Sequence, residues 1–91
     1  MKRYYGVVTG RVQGVGFRSF CQMKAYHFGL TGSIKNLSNG NVEFFVQGEE
    51  TKLSLFLNEI LQGDGRFIRV NDYSLKETSL VPNETGFRYH Y

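Results

Sequence analysis

Residues 4–28 read YYGVVTGRVQGVGFRSFCQMKAYHF, and this stretch decides the fold class. Its first part, residues 4–12, is rich in Tyr, Val and Thr, which is typical of a β-strand. Its last part, residues 18–28, continues a stripe of apolar residues at helical spacing. Gly14 and Gly16 lie between the two parts and allow a sharp turn. The stretch therefore predicts a strand, a glycine-rich turn and a helix.

The rest of the chain continues to alternate between strand and helix patterns. Asn39-Gly40 is a strong hairpin signal, for which we expect positive φ at both central residues. Val70, Tyr73 and Leu75 are expected to face the core from a later strand. We predict two helices on one face of a mainly antiparallel sheet, the α+β ferredoxin-like split βαβ sandwich. The predicted elements, βαββαβ plus a short final strand, cover residues 4–12, 18–28, 31–37, 41–47, 50–61, 67–77 and 87–91.

Length and charge narrow the class of protein. A chain of 91 residues suffices for one domain and is too short for two, so residues 1–91 are expected to form a single domain. The net charge of +3 comes from scattered Lys and Arg, which favours a small anionic ligand over a nucleic acid or a membrane surface. No apolar run approaches the ~20 residues needed to span a bilayer, and no signal-peptide core is present. We expect a cytoplasmic monomer.

Cysteine and histidine offer little for metal or redox chemistry. Cys21 is the single cysteine, so an internal disulfide and paired-cysteine metal sites are excluded. On the predicted helix it is expected to be a buried small apolar residue. His27 and His90 are far apart in sequence, and the acidic residues are scattered. We expect no metal and no cofactor.

The turn at residues 10–18 has features of a phosphate-binding site. Its glycines let several backbone N–H groups point at one place, at the positive end of the helix dipole. Arg18 follows directly, and its planar guanidinium can hold two phosphate oxygens. The turn lacks the lysine of a P-loop, and Ser19 stands where a dinucleotide fingerprint needs glycine. From the glycines alone, a plain connection between strand and helix is equally compatible.

The complete run Gly-Arg-Val-Gln-Gly-Val-Gly-Phe-Arg at residues 10–18, with residues 32–36 and 40–43, resembles the acylphosphatase family over nearly the whole chain. The resemblance implies metal-independent hydrolysis of the carboxyl–phosphate bond of a small acyl phosphate. It also implies that Arg18 binds the phosphate as a catalytic residue, and that Asn36 positions the attacking water. The implied phosphate cradle is the backbone of Gln13, Gly14, Val15, Gly16, Phe17 and Arg18.

The implied reaction needs few protein groups. A carboxylate leaves without protonation at neutral pH, because the pKa of its conjugate acid is about 4. Backbone N–H groups and Arg18 would stabilise the phosphoryl oxygens, and Asn36 would hold water in line with phosphorus. A phosphate monoester would need an acid or a metal, so we expect poor activity on monoesters.

Two other functions are compatible with parts of the sequence. Ferredoxin-like sheets include RNA-recognition domains, and Phe44 and Phe45 are aromatic residues on the third predicted strand. That strand lacks the basic-glycine-aromatic string of the RNA motif. A domain that handles carbamoyl phosphate for a larger maturation enzyme, or one that only senses phosphate, would carry the same cradle.

The chain departs from the family pattern outside the site residues. Ser33 replaces an aromatic residue usual in the family, and residues 63–66 lack the usual prolines. Both departures bear on packing rather than on the chemistry.

Overall fold

Two helices and five strands make up the protein. The computed structural model describes all residues, Met1–Tyr91. The order is the predicted one, and the α+β ferredoxin-like class is confirmed, with two helices on a mainly antiparallel sheet. The elements are β1 (Lys2–Arg11), α1 (Phe17–His27), β2 (Thr31–Asn36), β3 (Val42–Gly48), α2 (Glu50–Gln62), β4 (Arg69–Thr78) and β5 (Phe87–His90).

The strand directions bring distant parts of the chain to one edge of the sheet. The strand order is β4-β1-β3-β2-β5. Neighbouring strands are antiparallel except β2 and β5, which are parallel. The C-terminal ends of β1, β2 and β5 therefore lie at the same edge, together with the start of β4 and the N-terminus of α1. This edge carries every site described below.

The core lies between the helices and the sheet. It is one cluster of fifteen buried residues, and each helix adds an apolar stripe at the predicted spacing. The rings of Phe44 on β3 and Phe56 on α2 meet edge-on, with centroids 6.3 Å apart. Burying one such side chain stabilises the fold by roughly 1.5–3 kcal/mol. The buried residues of the helices are Phe17, Cys21 and Ala25 on α1 and Leu53, Phe56 and Ile60 on α2.

The turn between β2 and β3 differs from the predicted one. Gly40 has a φ of 95°, but Asn39 does not adopt positive φ. The Leu37 N–H donates to the Asn41 carbonyl at 2.8 Å, so the loop has three residues. Such a loop needs the left-handed conformation only at its last position, because a type I turn precedes it. The prediction of two positive φ values is therefore wrong.

The inward face of β4 also differs from the prediction. Val70 packs against the core, whereas Tyr73 and Leu75 are 53% and 37% exposed. A register shift between Thr9 and Gly10 of β1 interrupts the alternation of β4, so Tyr73 lies opposite the buried Val8 and shares its face. Tyr73 and Leu75 stay exposed because β4 is an outermost strand of the sheet. Of the three residues, Val70 alone packs against the core, and the prediction that Tyr73 and Leu75 belong to the core is wrong.

A polar cluster fixes the loop between β4 and β5. Arg3, which is buried on β1, donates to the Glu84 carboxylate at 2.7 Å, and the Thr31 hydroxyl donates to the same carboxylate at 2.8 Å. Burial opposes the charge of Glu84, but the hydrogen bonds from Arg3 and Thr31 outweigh it and lower the pKa of the carboxyl. Gln47 exchanges two hydrogen bonds with the backbone of Val81. The cluster holds β5 in place beside β2.

Neither helix is long and apolar enough to cross a membrane.

Candidate active site

The segment between β1 and α1 turns through two left-handed glycines. The φ angles of Gly14 and Gly16 are 72° and 83°. A Cβ atom at either position would meet nothing within 4 Å, so the requirement for glycine comes from the backbone conformation and not from crowding. Gly16 is the N-cap of α1 and supplies no capping side chain. The turn thus presents bare backbone at the helix N-terminus.

The two helices begin in different ways. The Glu49 carboxylate caps α2 by accepting hydrogen bonds from the N–H groups of Thr51 and Lys52, both at 3.1 Å. These bonds lower the pKa of Glu49. In contrast, α1 has no acidic residue in its first turn, and no side-chain oxygen accepts from its first N–H groups. An anion is therefore the natural partner for the N-terminus of α1.

Arg18 is oriented by the final strand. Its Nη1 donates to the carbonyl oxygen of His90 at 2.6 Å. Its guanidinium carbon lies 4.1 Å from the centroid of the Tyr89 ring and 5.3 Å from that of Tyr91. A guanidinium has five N–H donors in a fixed plane, so the remaining donors stay available for a phosphate.

Asn36, at the end of β2, carries a buried oxygen without a partner. Its Oδ1 is the only buried side-chain nitrogen or oxygen of the protein that makes no hydrogen bond. A buried acceptor left without any hydrogen bond costs roughly 1–3 kcal/mol, so this oxygen needs a donor from outside the protein. An amide oxygen accepts hydrogen bonds, and a water molecule is a fitting donor.

These groups converge on one small cavity. Its volume is about 90 Å³, and it opens at the sheet edge where β1, β2 and β5 end. The predicted Arg18 and Asn36 both line it, as do three further residues of the predicted cradle. The lining residues are Val12, Gly14, Gly16, Phe17, Arg18, Asn36 and Tyr89.

Two predicted cradle residues do not line the cavity with their side chains. Val15 packs against the core cluster. The Gln13 amide donates to the carbonyl oxygens of Leu37 and Asn41, both at 2.7 Å. Gln13 therefore ties the glycine turn to the β2–β3 loop that begins directly after Asn36.

Sequence reasoning missed the contribution of β5. Tyr89 lines the cavity, and the His90 carbonyl orients Arg18. The alternation of Phe87 and Tyr89 signals a strand, but nothing local reveals that this strand lies parallel to β2, with Ile34 opposite Tyr89. Val12 was also missed, although it lies within the quoted run.

The sequence model of the acylphosphatase family matches residues 4–89 of the chain. The chain belongs to the acylphosphatase family. It is 47% identical over 91 residues to the acylphosphatase of Clostridium beijerinckii, with complete coverage of both chains. It superposes on the crystal structure of acylphosphatase from Bacillus subtilis with a TM-score of 0.93 and 38% identity, again with full coverage. It also superposes on a part of full-length HypF with a TM-score of 0.88 and 28% identity. The match covers 99% of this chain and 12% of HypF.

Members of the acylphosphatase family are hydrolases that act on acyl phosphates, so the predicted enzyme class is confirmed. The structure places no group of three or more His, Cys, Asp or Glu side chains where they could hold a metal ion. Burial raises the pKa of the Cys21 thiol well above its usual value, which keeps the thiol protonated and unsuited to nucleophilic attack. The polar groups that line this site are backbone groups of the glycine turn, a guanidinium and an amide.

Proposed function

We propose that residues 1–91 form one acylphosphatase-like domain in which Arg18 and Asn36 carry the hydrolysis of small acyl phosphates. The supporting observation is the 90 Å³ cavity, where the helix N-terminus, the Arg18 guanidinium and the unpartnered Asn36 oxygen converge. The family match over residues 4–89 and the one buried core support the extent of the domain.

The phosphoryl group binds between the glycine turn and Arg18. N–H groups of residues 13–18 donate to its oxygens, and Arg18 adds charge-assisted hydrogen bonds on one side. The oxygens gain charge density as the leaving group departs, so donors fixed before the reaction stabilise the transition state without reorganising. The stacked Tyr89 ring and the His90 carbonyl keep the guanidinium in that orientation.

Asn36 holds the water that attacks phosphorus. Its Oδ1 accepts a hydrogen bond from the water, which leaves a lone pair of the water oxygen free to point at the phosphorus atom. A fixed near-attack geometry lowers the entropic part of the barrier. Gln13 supports this geometry because it binds the backbone on either side of the hairpin loop.

The bond changes balance without a protein acid or base. The water oxygen forms a bond to phosphorus, and the bond from phosphorus to the carboxyl oxygen breaks, so the carboxylate leaves with the electron pair. No carboxylate or imidazole side chain lines the cavity. A phosphoryl oxygen therefore takes the proton of the water. The products are a carboxylate and inorganic phosphate.

We further propose a small anionic substrate, a cytoplasmic location and a monomeric state. The scattered net charge of +3 supports a small anionic substrate rather than a nucleic acid. The unpaired Cys21 thiol fits a reducing compartment such as the cytoplasm. We propose a monomer, and sedimentation at micromolar and millimolar concentrations tests it.

Hydrolysis of benzoyl phosphate in the presence of EDTA tests the function. Wild-type protein is expected to be active, and Arg18→Ala to lose about a hundred- to a thousandfold in kcat/KM. Arg88→Ala removes an exposed arginine from β5 outside the cavity and is the matched control, with wild-type activity expected. No hydrolysis by folded wild-type protein would contradict the proposal, as would equal losses in the two variants.

A further inference from the structure

A second polar cavity lies near the same edge of the sheet, and the mechanism uses none of its residues. Its volume is about 270 Å³, three times that of the active-site cavity. It lies between the end of β1, the start of β4 and the loop that precedes β4. Its lining residues are Arg11, Arg66, Phe67, Arg69 and Asn71.

The three arginines of this cavity lack protein partners. Arg11 and Arg69 are directly opposite one another in the β1–β4 ladder, and like charges in that arrangement destabilise a sheet. Among the arginines of the protein, Arg3 and Arg18 donate side-chain hydrogen bonds to protein acceptors. The salt bridges of the protein join Lys2 to Glu50, Arg3 to Glu84 and Lys24 to Glu59. None of the salt bridges of the protein therefore includes Arg11, Arg66 or Arg69.

The loop that carries Arg66 is ordered by Asp64. Its Oδ1 accepts hydrogen bonds from the N–H groups of Arg66, Phe67 and Ile68, at 2.8, 2.9 and 2.9 Å. These backbone bonds, with that from Arg66 the largest, lower the pKa of the Asp64 carboxyl. The backbone that carries Arg66 and Phe67 is thus fixed beside the cavity without a ligand.

Strand alternation separates this cavity from the active site. Val70 faces the core, so Arg69 and Asn71 point to the sheet face that the helices leave open. Arg11 shares that face with its partner Arg69, while the next residue, Val12, lines the active-site cavity. The consecutive residues Arg11 and Val12 therefore line two different cavities.

We propose that Arg11, Arg66 and Arg69, with the Asn71 amide, form a second anion-binding site that takes a small ligand with a diphosphate group. Three guanidinium groups exceed the charge of a single carboxylate, and each can bind two oxygens of a phosphate. The cavity is larger than the one that holds a single phosphoryl group. Phe67, which is 60% exposed, supplies an apolar wall for the part of the ligand next to the phosphates.

Titration with pyrophosphate, followed residue by residue through backbone amide NMR signals, tests the site. An Arg18→Ala background weakens the active-site cradle, so saturable shifts at residues 66–71 report the second site. In that background, Arg66→Gln is expected to weaken pyrophosphate binding about tenfold or more, because it removes a charge-assisted hydrogen bond from a phosphate. Lys76→Gln removes one positive charge from β4 outside the cavity and is expected to leave the affinity within twofold.

A second measurement does not depend on NMR. Arg69→Gln is expected to raise the Tm of the ligand-free protein, because it removes the repulsion with Arg11. The same variant is expected to lose most of the rise in Tm that pyrophosphate gives the Arg18→Ala protein. Shifts confined to residues 13–18, or equal affinities of the Arg66→Gln and Lys76→Gln proteins, would overturn the proposal without touching the acylphosphatase activity.

Discussion

The Nη1 atom of Arg18 lies 2.6 Å from the main-chain oxygen of His90, 72 positions further along the chain. The Tyr89 ring lies under the same guanidinium at 4.1 Å. The backbone and one ring of the final strand thus orient Arg18, the helix residue for which we propose phosphate binding. The orientation of the Arg18 guanidinium therefore depends on the position of β5 in the sheet.

Replacing Tyr89 with Leu tests this dependence. Loss of a cation–π contact at a partly exposed site is worth about 0.5–1 kcal/mol, which corresponds to a two- to fivefold weaker affinity for inorganic phosphate. Isothermal titration of phosphate measures it. Tyr26→Leu, a change of the same type at an exposed position of α1, serves as the control and is expected to bind like wild type. Equal affinities for the two variants would show that the ring does not orient Arg18.

Asn36→Ala separates chemistry from binding. The kcat is expected to fall about a hundredfold or more, because the water loses its acceptor, while phosphate affinity stays within a few-fold of wild type. Urea unfolding of the variant checks that it remains folded. A collapse of phosphate affinity would contradict the water-positioning role.

Gly16→Ala tests the left-handed turn. The change puts a side chain on a residue with a φ of 83°, which costs roughly 1–2 kcal/mol, although space for the methyl group is available. Relaxation of that strain moves the N–H groups that face the phosphate, so we expect kcat/KM to fall. Gly16→Asn is the comparison, because Asn tolerates this conformation better. A greater loss of activity for Asn than for Ala would argue against a backbone cause.

The Asp64 carboxylate is expected to make part of the protein's thermal stability depend on pH. Its pKa is lowered from 3.8 in the folded state, mainly by the backbone N–H of Arg66. The charged form therefore stabilises the fold above the ordinary pKa, and this contribution is lost as the pH falls through the lowered one. Asp64→Ala is expected to have a lower Tm than wild type at pH 7, and the two Tm values are expected to converge as the pH falls below the lowered pKa. A difference in Tm between Asp64→Ala and wild type that does not change with pH would contradict this account. The Asp72→Ala variant controls for the loss of one negative charge.

Local patterns predicted most of the fold. The apolar stripes of residues such as Phe17, Cys21 and Ala25 fixed the helices, because helical periodicity is a local property. The burial of Tyr73 and Leu75 was misjudged, because it depends on β4 being an outermost strand of the sheet, which is not a local property of the sequence. The turn at Asn39 was misjudged because one dipeptide is compatible with loops of more than one length.

The candidate site was predicted through its resemblance to a family rather than through physics alone. Arg18 and the glycines are adjacent in sequence, so a local pattern was enough to place them in one site. Asn36 and Tyr89 reach the cavity only through the pairing of β2 with β3 and β5. Such pairings depend on which strand edges meet across long loops, and no local pattern near Tyr89 specifies them.

Because β5 pairs in parallel with β2, the recovery of activity during refolding can report when β5 docks. Contacts between distant segments form late, because closing a long loop costs entropy before the contact repays it. The helical signal of a refolding chain is therefore expected to return before hydrolysis does. Regain of turnover after dilution from denaturant would then time the docking of β5, the step at which Arg18 acquires its orientation.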